Sequence, residues 1–373
     1  MDFAVYVHVP FCRVQCPYCT FYTVARPQAG APMQRFASAV QREWELRVVP
    51  RLARGDRMST LYLGGGTPSD LPPAVLVALL RGFAADLPAG LGGLDETTVE
   101  CNPESASSEL LDALRGVGVG RVSLGLQALH AEDLARLGRG ATLEQNRAAL
   151  AAVAARFPTW NADLILGIPA SNRERLGAAL EELHASGAPH LSFYCLELPP
   201  AWGRDFGDPQ SPQSEAWKAD LYEWTSAWAE ARGYVHYEIS NAARPGHEAV
   251  HNNGYWLGGE YVGLGPGAHS YAAGERRANR ADLRGYLEAL EAGREPASTS
   301  EILAAPERRA EELLLGLRLR RGLEIEALRT PARAALLDRL EDEGLLRVEA
   351  GRARLTARGW LVSDAIVLQL LAA

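Results

Sequence analysis

The chain has 373 residues, 47% hydrophobic and 23% charged, with a formal net charge of −8. That length supports a large core and two or three domains, the balance is that of a soluble globular protein, and the acidic excess gives no general pull toward nucleic acid or an anionic membrane. No apolar stretch is long enough to span a bilayer. The start, Met1-Asp2-Phe3-Ala4-Val5-Tyr6, has no basic segment ahead of an apolar one, so a cytoplasmic location is expected.

Short apolar, β-rich runs alternate with amphipathic stretches as far as about residue 200. The strands expected are Phe3–Val9, Thr60–Leu63, Thr97–Cys101, Arg121–Leu124, Asn161–Leu166 and His190–Tyr194. Between them the apolar period changes to that of a helix over Met33–Leu52, Pro73–Phe83, Ser107–Leu114, Leu143–Ala155 and Arg173–Ser186. Six such units predict an α/β fold, a parallel sheet with helices outside it and reactive groups at the C-terminal ends of its strands. Residues 199–214, rich in Pro, Gly and Ser, read as a loop before a helix over Ser214–Arg232. Residues 233–272 show little periodicity. From about Ala305 helices return, with a hairpin expected at Leu346–Leu355 around Ala350-Gly351. The predicted domains are 1–232, a connecting region 233–298, and a mainly helical, winged-helix-like module over 299–373.

The cysteines are Cys12, Cys16, Cys19, Cys101 and Cys195, an odd count with three clustered, which argues against a secreted disulfide framework. The cluster reads C-x3-C-x2-C, directly after the first strand. Three thiolates can hold a 4Fe-4S cluster by three irons and leave the fourth open, where an electron carrier would supply a fourth cysteine. A structural zinc site would want four ligands, and no second CxxC-like pair is present, although a histidine could complete the set. Gly64-Gly65-Gly66-Thr67-Pro68 follows the second strand. Such a run bares its backbone to a ligand, or simply turns, and it lacks the Gly-Lys-Ser/Thr of a phosphate loop.

Together, the cysteine triplet after strand one and Gly-Gly-Thr-Pro after strand two resemble the radical S-adenosylmethionine (SAM) superfamily. The fold this implies is a partial (β/α)6 barrel. The resemblance further implies a 4Fe-4S cluster on Cys12, Cys16 and Cys19, whose open iron chelates SAM and cleaves it reductively to a deoxyadenosyl radical. Tyr6-Val7-His8-Val9-Pro10-Phe11-Cys12, Val99-Glu100-Cys101-Asn102-Pro103-Glu104, Ser123-Leu124-Gly125-Leu126-Gln127 and Asn161-Ala162-Asp163-Leu164-Ile165-Leu166-Gly167-Ile168-Pro169 are similar to segments of the oxygen-independent coproporphyrinogen III oxidase family. By that resemblance Tyr6, Gly65, Gly66, Thr67, Glu100, Gln127, Arg139 and Asp163 contact SAM, and Tyr18 joins the cofactor-binding set. Carboxylates and an amide suit ribose hydroxyls and an ammonium, and Arg139 suits a carboxylate. Seen singly, Glu100, Gln127 or Asp163 could equally be a polar cap at a strand end.

Two departures separate the chain from the oxidase. The oxidase pattern has a fourth cysteine two residues after the third, where Phe21 stands here, and it carries a long arm ahead of the cluster motif, whereas Cys12 lies close to the start of this sequence. A third feature, His251-Asn252-Asn253-Gly254-Tyr255-Trp256, is similar to the signature of HemW-type heme chaperones. That resemblance implies a protein that binds heme and passes it to acceptor hemoproteins, with His251 as an axial ligand, His247 as a competing candidate, and Tyr255 and Trp256 against the porphyrin. His251 could instead be a hydrogen-bonded structural residue. The alternative functions are coproporphyrinogen III oxidation to protoporphyrinogen IX, or another radical SAM tetrapyrrole reaction such as heme opening. No catalytic residue is assigned. A flavodoxin or ferredoxin is the expected electron donor if SAM is cleaved. Residues 300–373 carry 12 Arg against 12 Asp plus Glu, so the winged module is neutral and a lid or protein contact is expected rather than DNA binding.

Overall fold

The computed structural model describes residues 1–25, 31–197 and 214–373. Its strands are β1 (Asp2–Val9), β2 (Phe11–Cys12), β3 (Val24–Ala25), β4 (Arg57–Gly65), β5 (Glu96–Cys101), β6 (Arg121–Gln127), β7 (Thr159–Leu166), β8 (His190–Cys195), β9 (Val235–Glu238), β10 (Asn241–Ala243), β11 (Tyr261–Leu264), β12 (His269–Ala272), β13 (Glu275–Asn279), β14 (Ala297–Ile302), β15 (Leu323–Glu324), β16 (Leu346–Glu349) and β17 (Arg352–Leu355). Strands β1, β4, β5, β6, β7 and β8 lie side by side in that order and pair in parallel. Each connection crosses over through a helix, as parallel pairing requires: Ala31–Arg47, Pro73–Ala85, Ser108–Gly116, Leu143–Ala154 and Arg173–Ala185. This is the expected six-unit α/β core.

Local sequence accounts for these elements. The inner strands are covered on both faces, so they read as nearly continuous apolar runs; Leu61 and Leu63 of β4 and Val5, Val7 and Val9 of β1 are fully buried. Helix starts carry side-chain caps: Ser107 accepts from the Leu110 amide, Asn172 from Arg175, and Thr142 forms a capping box with Gln145. The long helix expected over Met33–Leu52 is two, Ala31–Arg47 and Val49–Ala53. Pro50 sits in the first turn of the second, where its missing N–H costs nothing. Most of the loop expected over 199–214 lies outside the described residues; Ser214 caps the helix Glu215–Ala231 through the Trp217 amide.

The weakly periodic region holds the main departure from the sequence reading. Residues 233–302 are built into the same sheet rather than merely connecting two domains. Strand β11 adds in parallel beside β1, and β12, β13 and β14 continue outward as antiparallel hairpins. At the other edge β10 and β9 add antiparallel to β8. These strands are only three to six residues long; β9, β10 and β11 are mostly buried and β14 is exposed throughout, so none carries enough alternation to be read as a strand. Beyond them, β16 and β17 form the hairpin expected at Leu346–Leu355. Its turn residues Ala350 and Gly351 have φ of 50° and 75°, and β15 adds to β17. No helix among the described residues is long and apolar enough to cross a membrane.

Candidate functional site at the strand ends

The chain leaving β1 and the turn leaving β4 are locked together by backbone. The Gly66 amide donates to the Val9 carbonyl at 2.8 Å, and the Thr67 amide to Phe11 at 2.7 Å. A Cβ on Gly66 would lie 2.7 Å from the Phe11 carbonyl oxygen, so this close approach demands glycine. Gly65, at φ 103°, sits where a side chain would meet the His8 ring, and its amide donates to Glu100 Oε2 at 3.2 Å. The glycine run is therefore a splint that fixes Cys12 against Thr67.

From Thr67 a chain of side chains returns to the second cysteine. Cys12 Sγ lies 3.7 Å from Thr67 Oγ1, which accepts from Asn102 Nδ2 at 2.9 Å. Asn102 Oδ1 accepts from Arg139 Nη2 at 2.8 Å, and Arg139 Nη1 reaches Cys16 Sγ at 3.6 Å. Arg139 Nη2 also donates to the Gly125 carbonyl, while its Nε is buried and unpartnered. Cys19 closes a tight turn, its amide donating to the Cys16 carbonyl at 3.0 Å. Burial pushes the Cys12 thiol up to about 11 and raises Cys19 as well, so thiolates form here only with a cation to hold them.

These residues line a cavity of about 490 Å³ formed by the segment that follows β1 and by β4–β8, which runs from the C-terminal strand ends down to Arg121 at the start of β6. It brings together Cys12, Cys16, Cys19 and Tyr18 with Gly65, Gly66 and Thr67, and with Glu100, Gln127, Arg139 and Asp163. Glu100 accepts from Tyr62 Oη at 2.6 Å; burial, reinforced by Asp163, lifts its carboxyl to about 7. Asp163 accepts from Asn161 Nδ2 at 2.7 Å and is also raised by burial. Gln127 holds φ at 67°, a strained conformation for a residue with a side chain, where the register between β6 and β7 breaks. Sequence reasoning missed Arg121 and Asn102. Arg121 is buried in the cavity wall with Nε unpartnered, and as the first residue of a strand it carries no signal. Asn102 stands within a quoted motif but was given no role.

The structure does not bring Tyr6 and His251 into this cavity. Tyr6 faces a second one and bonds His8 Nδ1 at 3.0 Å. His251 lies in the helix Val250–Trp256, 1% exposed, with Nδ1 on Thr60 Oγ1 at 2.7 Å and Nε2 on Tyr255 Oη at 2.8 Å. Its ring stacks on Tyr62, and both nitrogens are engaged, so in this arrangement neither is free for iron. His247 bonds Thr159, at the opposite end of β7, and lines neither cavity. From the same helix Asn252 reaches the first cavity, and Tyr255 and Trp256 line the second.

Burial, and then Arg121, hold His251 down to about 3 from an ordinary 6.5. Between those values the unfolded chain binds a proton that the folded chain does not, so His251 contributes stability above pH 6.5 that is lost as pH falls. Replacing it by Gln should flatten the acid limb of urea-unfolding stability by about 1.4 kcal/mol per pH unit; an unchanged slope would show that His251 is charged in the fold.

The donor set fits the cofactors that the sequence implied. Free thiols supply three sulfurs, and no three His, Cys, Asp or Glu side chains among the described residues converge on a point suited to a single ion. Two partly buried carboxylates, Glu100 and Asp163, with the partly buried Arg139 and the buried Arg121 match a ligand carrying ammonium, carboxylate and hydroxyl groups.

The Radical SAM superfamily model matches residues 6–183, and the HemN C-terminal domain model matches 303–362. Among solved structures, the coproporphyrinogen III oxidase HemN of Escherichia coli superposes with a TM-score of 0.80 at 23% identity, covering 99% of this chain and 90% of that one. Fold, triplet and family model make this a radical SAM superfamily protein. The curated relatives narrow it: the heme chaperone HemW of Mycobacterium tuberculosis is 37% identical, covering 99% of this chain and 95% of that protein. HemW of Lactococcus lactis is 33% identical over 87% and 83%. The chain belongs to the HemW heme chaperone family.

Proposed function

We propose that this protein is a heme chaperone that carries a 4Fe-4S cluster and SAM, binds heme, and passes it to acceptor hemoproteins. The observation that carries the reading is the near full-length likeness to the M. tuberculosis chaperone. At the level of residues, Cys12, Cys16 and Cys19 hold the cluster. Glu100, Gln127 and Asp163 receive the hydroxyls and ammonium of SAM, Arg139 its carboxylate, and Gly65, Gly66, Thr67 and Tyr18 complete the cradle. When bound, the cluster and SAM supply one-electron chemistry, for which a flavodoxin or ferredoxin would be the donor. Phe21 supports the chaperone over the oxidase. It is 65% exposed where the two cavities meet, in the position at which the oxidase pattern has cysteine. We further propose that the cofactor domain is residues 1–232 together with the strands of 233–302 that extend its sheet, and that the C-terminal module after β14 is its cover.

The test is a paired assay on anaerobically reconstituted protein. Supplied with SAM, reductant and coproporphyrinogen III, it should form no protoporphyrinogen IX. Loaded with heme, it should convert an apo-hemoprotein to its holo spectrum. Sustained decarboxylation without heme transfer would overturn the reading in favour of the oxidase.

A further inference from the structure

A second cavity, of about 870 Å³, opens beside the cofactor site and shares Thr20 and Phe21 with it. That volume is within the ~300–1,000 Å³ usual for small-molecule sites. One wall is a cross-strand row. Tyr261 of β11 stands opposite Tyr271 of β12, which stands opposite Arg276 of β13. His269, two residues before Tyr271, falls on the same face. The facing wall is the helix Ala305–Leu317 with the chain that follows it, and Trp256 and Tyr255 close one end.

The charges of this cavity are unbalanced in a specific way. Four arginines and two glutamates line it. Glu311 is taken by Arg276, and Glu312 by Arg309 at 3.0 Å. Arg308 and Arg321 line the cavity with no carboxylate partner among the described residues, and both stand exposed at its rim. Aromatic walls with two free guanidiniums at the mouth suit a flat, apolar dianion whose two carboxylates face solvent. Two histidines line the cavity. His8 is committed to Tyr6 Oη and the Tyr22 carbonyl, at 3.0 and 2.8 Å. His269 is exposed, and no hydrogen bond holds its ring among the described residues. A free imidazole is a competent axial ligand.

We propose that this cavity is the heme site, with His269 as axial ligand and Arg308 and Arg321 holding the two propionates. The proposal rests on the reading of the chain as a heme-binding chaperone. The sequence signature around His251 then contributes through Tyr255 and Trp256, which line the site, while His251 anchors their helix to β4.

The test is a titration of the full-length, cluster-reconstituted protein with ferric heme, read by Soret absorption and magnetic circular dichroism. His269→Ala should lose the histidine-ligation signature, and added imidazole should restore it; His269→Met should give a different, thioether-ligated spectrum. The double variant Arg308→Glu, Arg321→Glu should bind heme about tenfold or more weakly, yet bind heme dimethyl ester as the wild type does. Iron content equal to wild type certifies each variant's fold. Saturable wild-type uptake with spectrum and affinity unchanged in both His269→Ala and the arginine variant would overturn this site and leave the chaperone reading standing. Absence of saturable heme uptake by the wild type would overturn both.

Discussion

Cys16→Ser should abolish the cluster, with iron and sulfide lost on anaerobic reconstitution and the charge-transfer absorption gone, while Cys101→Ser and Cys195→Ser should keep the full complement. The contrast is informative because all five cysteines line the same cavity, so proximity alone does not choose among them. Cys101 ends β5, 2% exposed and packed in the main hydrophobic core, its thiol pushed up to about 12 by burial. Cys195 ends β8, and burial lifts it to about 11. Both are fixed by sheet positions that other residues dictate. Cys12, Cys16 and Cys19 instead ride on one short segment pinned just before Cys12 by the Gly66 and Thr67 amides and at its middle by Arg139 on Cys16. Cys12, pushed up to about 11 by burial, must shed its proton to bind iron, so uptake should release protons and quicken as pH rises. Retention of the cluster in Cys16→Ser, or its loss in Cys195→Ser, would place the ligand set elsewhere.

How legible the molecule was depends on how far apart in sequence its parts lie. The triplet is local, and the six parallel units announce themselves because buried strands are apolar on both faces. Glu100, Gln127, Asp163 and Arg139 could be read only through the family resemblance: Glu100 and Gln127 stand at the ends of β5 and β6, but Asp163 lies within β7 and Arg139 follows the helix Ala131–Arg136. The second cavity could not. Its walls come from β1, from β11–β13 and from a helix some three hundred residues after β1, and its exposed strands alternate too weakly to declare a face. His251 shows the opposite failure. The motif was visible, but a helix over Val250–Trp256 turns His251 toward Thr60 and puts Tyr255 four residues on, beside its ring. The residue that looked like a ligand is held as a structural pin, and His269, which drew no attention in the sequence, is the histidine of the second cavity whose ring has no hydrogen bond among the described residues.

Arg139→Met should separate the cofactor site's two duties. In the folded chain Arg139 bonds Cys16 Sγ, Asn102 Oδ1 and the Gly125 carbonyl, and Nε has no partner. A partly buried guanidinium with a spare N–H beside the cluster segment is poised to take a carboxylate oxygen. A charge-assisted bond is worth about 1.5–3 kcal/mol, so SAM affinity should fall roughly ten- to hundredfold. Arg139→Lys should recover only part of the loss, because an ammonium keeps the charge but not the planar fork that serves Asn102 and Gly125 together. The cluster, held by sulfur, should survive both changes, with iron content near wild type; what should disappear is the change that SAM induces in the electron paramagnetic resonance signal of the reduced cluster. If SAM binds Arg139→Met as it binds the wild type, the guanidinium serves only to brace Cys16, and the carboxylate must be held by the other buried cation of the cavity, Arg121.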